Sequence, residues 1–391
     1  MNLRKISLVN ILFCMGALMQ GNLVMAQQLC NDEAIMNTKG HWAKRNDANP
    51  FPDSSFPKSQ FVQANNRMDK MQKLLQAAYP DPKGIEAGWY RSISGNALVK
   101  GGPAPYKLSA LFLTYYCNNY EKKIELGDET GTWFYVWANQ FNWFAEYIKE
   151  FSVKKQAVYL LTRKNEEIDG YPVYEGIHNG TSNTGTTYSR AIIITRQGQS
   201  PYVPVTQKQY LKAFLLYNEK KLPESLAGIE KGFVVKTDAE EKEAKQKALA
   251  GIEKNNRADA VERRKAEYLK NYKTDRQRKD ENIQHTTNYF DGLIKPVDDV
   301  WKSLGENELK EPAIVDAVNS AFSFKGFTTE EKGGRMIVFV NSNYFNTKLP
   351  GYVPQLVVLY WQWDKNTPAQ NFKKQIEENF PISKLKAMID K

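Results

Sequence analysis

The sequence predicts an α+β protein. It reads as a mainly antiparallel-sheet N-terminal domain with covering helices, a long charged helical connector and a small α+β C-terminal domain. Three observations lead there. Between residues 89 and 195, apolar and aromatic residues come in short runs separated by Gly/Asn/Ser/Thr turns, the pattern of successive antiparallel strands. Residues 238–282 then change in kind, with 24 charged positions out of 45 and few aliphatics, which suits a helix exposed all round. After residue 287 helical spacing returns, followed by two apolar strands and two amphipathic helices.

In chain order, Arg4 and Lys5 precede a mostly apolar run from Ile6 to Met19, and Val24-Met25-Ala26 supplies small or aliphatic residues at a cleavage position. This is the layout of a bacterial-style secretory signal peptide over residues 1–26. A membrane anchor needs about 20 apolar residues, more than this run offers, and Phe13 is too large to precede a lipidated Cys14. The expectation is an exported chain starting at Gln27, periplasmic or secreted. No transmembrane segment is expected in the mature chain, because charged or polar residues interrupt every later apolar run.

The remaining length suits two or three domains, and 41% hydrophobic residues with 12% aromatics can build packed cores. Loss of Arg4 and Lys5 lowers the formal charge from +10 to +8. The basic residues mostly alternate with acids, which describes a solvated surface. Together with export this argues against a nucleic-acid partner and leaves weak attraction to anionic envelope polymers. Two cysteines follow the signal, Cys30 and Cys117. In an oxidising compartment they are expected to form a disulfide, the alternative being two buried thiols.

The expected domains are 27–235 and 287–391, joined by a connector over 236–286. Within the first, prolines make 37–60 a surface loop. Met68, Met71, Leu74, Leu75 and Ala78 place a helix at 66–79, stopped by Pro80. Strands are expected at 89–94, 107–117, 132–144, 157–162, 171–177 and 186–195. The end of the third is ambiguous, since Phe141, Phe144, Ile148 and Phe151 also fit a helix. Thr206 with Gln209 forms a capping box for a helix that should end at Pro223. A second box, Thr237 with Glu240, opens the connector, whose apolar positions hold no heptad beyond two turns and whose middle Gly251 and Asn255-Asn256 interrupt, so no sustained coiled coil is expected. The last domain should carry a helix at 287–304, strands at 335–341 and 355–363, and helices at 369–379 and 383–389.

The sequence assigns no catalytic residue, metal ligand or cofactor. His41, His178 and His285 are far apart and in no metal-binding spacing. Gly180-Thr181-Ser182-Asn183-Thr184-Gly185 lacks the glycine and the context of a nucleophile elbow, and Gly101-Gly102-Pro103 lacks the lysine and helix of a phosphate loop. A hydrolase using paired carboxylates would start from Asp128-Glu129 or Glu175, because such pairs are defined by separation in space. What stands out is ring density on strands. Trp133, Tyr135 and Trp137 share one face of one strand, and Trp361 and Trp363 share a face of another. Flat rings can stack on sugars or peptides, but rings on a strand buried on both sides would look the same. The functional expectation is a non-catalytic exported protein that binds a glycan, an envelope component or a protein partner, with Trp133, Tyr135 and Trp137 contributing. The alternatives are a secreted hydrolase and a scaffold subunit that uses the charged helix.

Overall fold

A strand whose two faces are both apolar needs cover on both sides, and the central strands of this chain have it. In a computed structural model, the structure describes residues 30–45, 58–93, 97–118, 120–141, 144–176, 180–182, 185–316 and 324–391. The expected signal peptide, residues 46–57 of the Pro-rich loop and His178 lie outside them. The fold is α+β, in two units: residues within 1–147, 158–204 and 335–391 form one, and residues 148–157 with 205–334 the other.

The first unit is organised by a large sheet. Its strands are β1 (Trp42–Lys44), β2 (Ile85–Ile93), β3 (Tyr106–Asn118), β4 (Lys123–Leu126), β5 (Trp133–Ala138), β8 (Lys164–Ile168), β9 (Tyr171–Glu175), β10 (Gly180–Ser182), β11 (Gly185–Ile194) and β15 (Val357–Asp364). They run in the order β1-β2-β3-β5-β15-β11-β9-β8, with β4 on β3 and β10 on β11. All described pairings are antiparallel except β1 with β2. A second sheet runs β12-β14-β7-β6, from β6 (Ala145–Val153), β7 (Gln156–Leu161), β12 (Tyr202–Pro204) and β14 (Arg335–Val340).

Here the expected domain division and the structure part ways. Residues 335–391 do not stand apart: β15 lies between β5 and β11 in the middle of the large sheet, and β14 pairs with β7 and β12. Local patterning identifies a strand but not its neighbour, so a segment that completes an earlier sheet reads like a domain of its own.

One face of the large sheet is covered by α1 (Asp32–Asn37), α2 (Phe61–Ala78), α7 (Thr367–Asn379) and α8 (Ile382–Lys386). α2 turns Ala64, Met68, Met71, Leu75 and Ala78 inward at helical spacing. α7 starts at Asn366, whose side chain accepts the Ala369 N–H, with Pro368 in the first turn where its missing donor costs nothing. Phe112 meets Phe372 with ring centroids 4.1 Å apart. Trp361 and Trp363 belong to this core, and the Trp361 indole donates to Glu377 Oε1 at 3.0 Å. Cys30 and Cys117 come together as a disulfide-capable pair with Cα atoms 5.4 Å apart. A bridge across their separation of 87 residues would stabilise by about 4–5 kcal/mol in the loop-entropy account.

The ambiguous stretch after β5 resolves as strand, break, strand. Asn139 takes φ +60°, a left-handed conformation that ends β5, and its side chain bonds Ala104 O, Val353 O and Gln355 N. Asparagine tolerates that conformation better than most residues, and three bonds hold it there.

The second unit is built on helices: α3 (Gln207–Gly232), α4 (Asp238–Asn255), α5 (Ala258–Asn271) and α6 (Asp275–Ser303), with the short β13 (Ile314–Val315) bridging to Phe327. The capping boxes at Thr206 and Thr237 form, and a third stands at Thr274 with Gln277. Two expectations change. α3 passes through Pro223 and continues to Gly232, because the proline removes one backbone bond while the helix continues on both sides of it. The charged stretch is parts of three helices: it breaks at Asn256, within the interruption expected at Asn255-Asn256, and again at Tyr272–Thr274, a second break the residues do not announce, and the chain turns extended at both. Tyr210 and Phe214 of α3 meet Phe324, and α3 packs on α6, which buries Phe290 and Val297.

Candidate functional site

Strand alternation sorts the rings of β5. Phe134 and Val136 point into the helix-covered core and are fully buried. Trp133, Tyr135 and Trp137 therefore lie on the opposite face, as the sequence predicts, but the structure treats them unequally. Trp137 is buried in a second core with Phe141, Leu356 and Val358. Trp133 and Tyr135 are half-buried, their rings near-parallel at 9° with centroids 5.8 Å apart. Trp133 satisfies its indole N–H at Thr130 O, 3.1 Å away.

Register builds the rest of this face. Tyr90, Ser109, Tyr135 and Tyr360 form one cross-strand row from β2 to β15. The next row holds Gly88, Leu111, Trp133, Gln362 and Ser189. On the other side of the Tyr135 row lie Ser92, Lys107, Trp137 and Val358. Tyr135 and Tyr360 are 5.8 Å apart, and the Tyr360 hydroxyl donates to Gln362 Oε1 at 2.8 Å. Burial pushes both phenols well above the ordinary tyrosine range, so they stay protonated donors. Gly176 makes room for this arrangement: a Cβ there would sit 2.7 Å from a Tyr360 ring carbon and 2.0 Å from Ser189 Oγ.

Lys107 is the charged residue of the aromatic rows. Its Nζ lies 4.6 Å from the Trp137 ring centroid and 5.5 Å from that of Tyr135, a cation–π geometry. Among the described residues no carboxylate lies within ion-pair distance of it. Burial alone holds its amine below the usual lysine range. Around it, Ser92 Oγ, Ser109 Oγ and Trp137 Nε1 are buried without a hydrogen-bond partner among the described residues.

The remaining candidate groups do not join this face. Asp128 and Glu129 are exposed, Glu175 takes a bond from Asn165, and His285 is exposed on α6. His41 contacts Glu86, whose carboxylate also accepts the Tyr115 hydroxyl at 2.6 Å. The only carboxylates that β2, β3, β5, β15 and β11 place on this face are Glu86 and Asp364. They stand three strand spacings apart, about 14 Å, wider than the roughly 5–9.5 Å that glycosidase pairs use. Asp364 is engaged locally, accepting the Gly131 N–H at 3.0 Å. Among the described residues no group of three His, Cys, Asp or Glu could hold a metal, and no helix is long and apolar enough to cross a membrane.

Sequence reasoning missed Ser92, Lys107 and Ser109. The signal was present, because Lys107 and Ser109 share the parity of Leu111 and Leu113 on a strand that is otherwise almost wholly apolar. No protein-family model, curated protein or solved structure matches this chain.

Proposed function

We propose that the protein is a non-catalytic binding protein and that the β5 face takes a glycan. The reading rests on one observation above all. Trp133 and Tyr135 form a near-parallel, half-buried ring pair beside the amide of Gln362 and the hydroxyl of Tyr90. Sugar rings offer an apolar face to aromatics and hydroxyls to polar neighbours, so this mixture fits them. The wide separation of Glu86 and Asp364 weighs against glycoside hydrolysis at the same face.

Export from the cell belongs to this reading, with an envelope or extracellular glycan as the partner. The test is a glycan array followed by affinity measurement on the best hit. Trp133→Ala should lose about 1–2 kcal/mol of binding, roughly tenfold, with a smaller loss of stability than Trp137→Ala. Unchanged affinity in that variant, or an array without hits, would overturn the proposal.

A further inference from the structure

Resting on the glycan reading, we infer that the ligand is acidic: the cluster around Lys107 seats a carboxylate of the bound sugar. Four groups meet there. Ser92 and Lys107 are register partners across β2 and β3, Lys107 and Trp137 are partners across β3 and β5, and Ser109 follows Lys107 by two residues on the same face. Directly opposed residues have Cβ atoms about 5 Å apart, so Ser92 and Trp137 flank Lys107 from the two neighbouring strands and Ser109 stands beside it along its own.

What they lack is an anion, and partners for their donors. The ammonium has three N–H donors and no acceptor, the indole is donor only, and each serine hydroxyl can donate. Buried donors without partners are rare in folded proteins, and three buried side-chain atoms here, Ser92 Oγ, Ser109 Oγ and the Nε1 of the 5%-exposed Trp137, have none among the described residues. Water could satisfy hydroxyls and an indole, but it brings no charge. The half-buried Lys107 has ring faces beside it and no anion. A carboxylate supplies both missing things, acceptor lone pairs and a countercharge, and charge-assisted bonds of this kind are the strong ones. Tyr135 touches both features, stacking with Trp133 and lying beside the Lys107 amine. One sugar ring on Trp133 and Tyr135 can thus place an acidic substituent at Lys107.

The pH dependence follows. The seat works while Lys107 is charged, and its amine titrates below the ordinary lysine range. Affinity for the acid should therefore fall as pH rises through that lowered value, while affinity for a neutral analogue stays flat.

The experiment uses the full chain with ¹⁵N-labelled tryptophan, the Trp133 and Trp137 indole signals being assigned from Trp133→Phe and Trp137→Phe. The probes are acetate, a galacturonate tetramer and the methyl ester of that tetramer. The tetramer should shift both signals, the ester only Trp133 with at least tenfold weaker binding, and acetate only Trp137. Lys107→Met should reduce the tetramer to the ester's behaviour, and Lys107→Arg should retain most of the difference, which shows that charge rather than folding is at stake. Equal binding of tetramer and ester, with Trp137 silent, would overturn the acidic seat and leave the glycan face standing. A Trp137 shift with Trp133 silent would keep the seat and remove the glycan face. Silence of both signals with every probe would overturn both.

Discussion

The sheet unit and the helical unit differ in where they keep their charges. In the helices most of the charges lie at the surface, some of them in pairs: Lys236 with Asp275 at 2.7 Å, Lys273 with Glu281 at 2.6 Å, and Lys279 with Glu230. Exposed pairs of this kind each contribute about 0–1 kcal/mol. The three capping boxes start α3, α4 and α6, and the packing of α3 on α6 and of Tyr210 and Phe214 on Phe324 holds part of this unit. In the sheet unit, stability comes from buried rings and aliphatics, while polar groups are held under cover even where no partner meets them. Among the described residues each unit also leaves buried polar atoms without a partner, Gln207 Oε1 in α3 and three donors around Lys107 in the sheet; on the proposed reading the latter await a ligand.

The largest test of this contrast removes whole segments. A chain ending at Gly334 lacks β14 and β15 and should not form the sheet unit, because β5 and β11 lose the strand between them. Replacing residues 238–274 by a short Gly/Ser linker should leave that unit folded, since Lys236 and Asp275 already touch. Amide NMR dispersion and near-ultraviolet circular dichroism read both results. A dispersed spectrum from the truncated chain would mean that β15 is dispensable. For the same reason, trypsin cleavage within 238–282 should give fragments that co-elute and separate only in denaturant.

Next in size is the split within β5. Trp137→Ala should cost about 3–5 kcal/mol, as for other buried large-to-small changes, and the half-buried Trp133→Ala about half of that or less. Equal losses in urea unfolding would erase the distinction between core and face. Smaller again, Thr237→Ala should cost about 1 kcal/mol of local helix stability. Hydrogen exchange should quicken in α4 and stay unchanged in the large sheet.

The smallest effect is in acid. Burial raises the Glu86 carboxyl, but hydrogen bonds from Tyr115 and His41 outweigh it and hold its pKa below the usual value. A carboxyl depressed in the folded state contributes stability above its unfolded pKa, and that contribution fades as pH falls through the folded one. Glu86→Gln should therefore flatten the acid limb of the stability curve and leave neutral pH less affected.

Much of the secondary structure was legible in the residues, because period and punctuation are local. The strands at 107–117, 157–162 and 186–195 and the capping boxes at Thr206 and Thr237 were all readable. What failed was whatever depends on distant partners. The place of β15 is set by pairing across more than 150 residues, and no local pattern carries that. Pro223 looked like a stop because a proline signals the cost of a lost bond, not whether the helix ends there. For the site, Trp133, Tyr135 and Trp137 were readable as one face, but which of them is core depends on the second sheet. Lys107 escaped notice because a lone lysine in a strand looks like a surface residue until its neighbours are known.

The position of β15 also sets a clock. A ribosome adding about 5–20 residues per second finishes β12 and then needs roughly 8–30 s to deliver the strand that closes the large sheet. Throughout that interval β5 and β11 present bare edges able to pair with any passing strand. The nascent chain is thus most prone to aggregation midway through its own synthesis, and the helical unit is what the ribosome makes while the sheet waits.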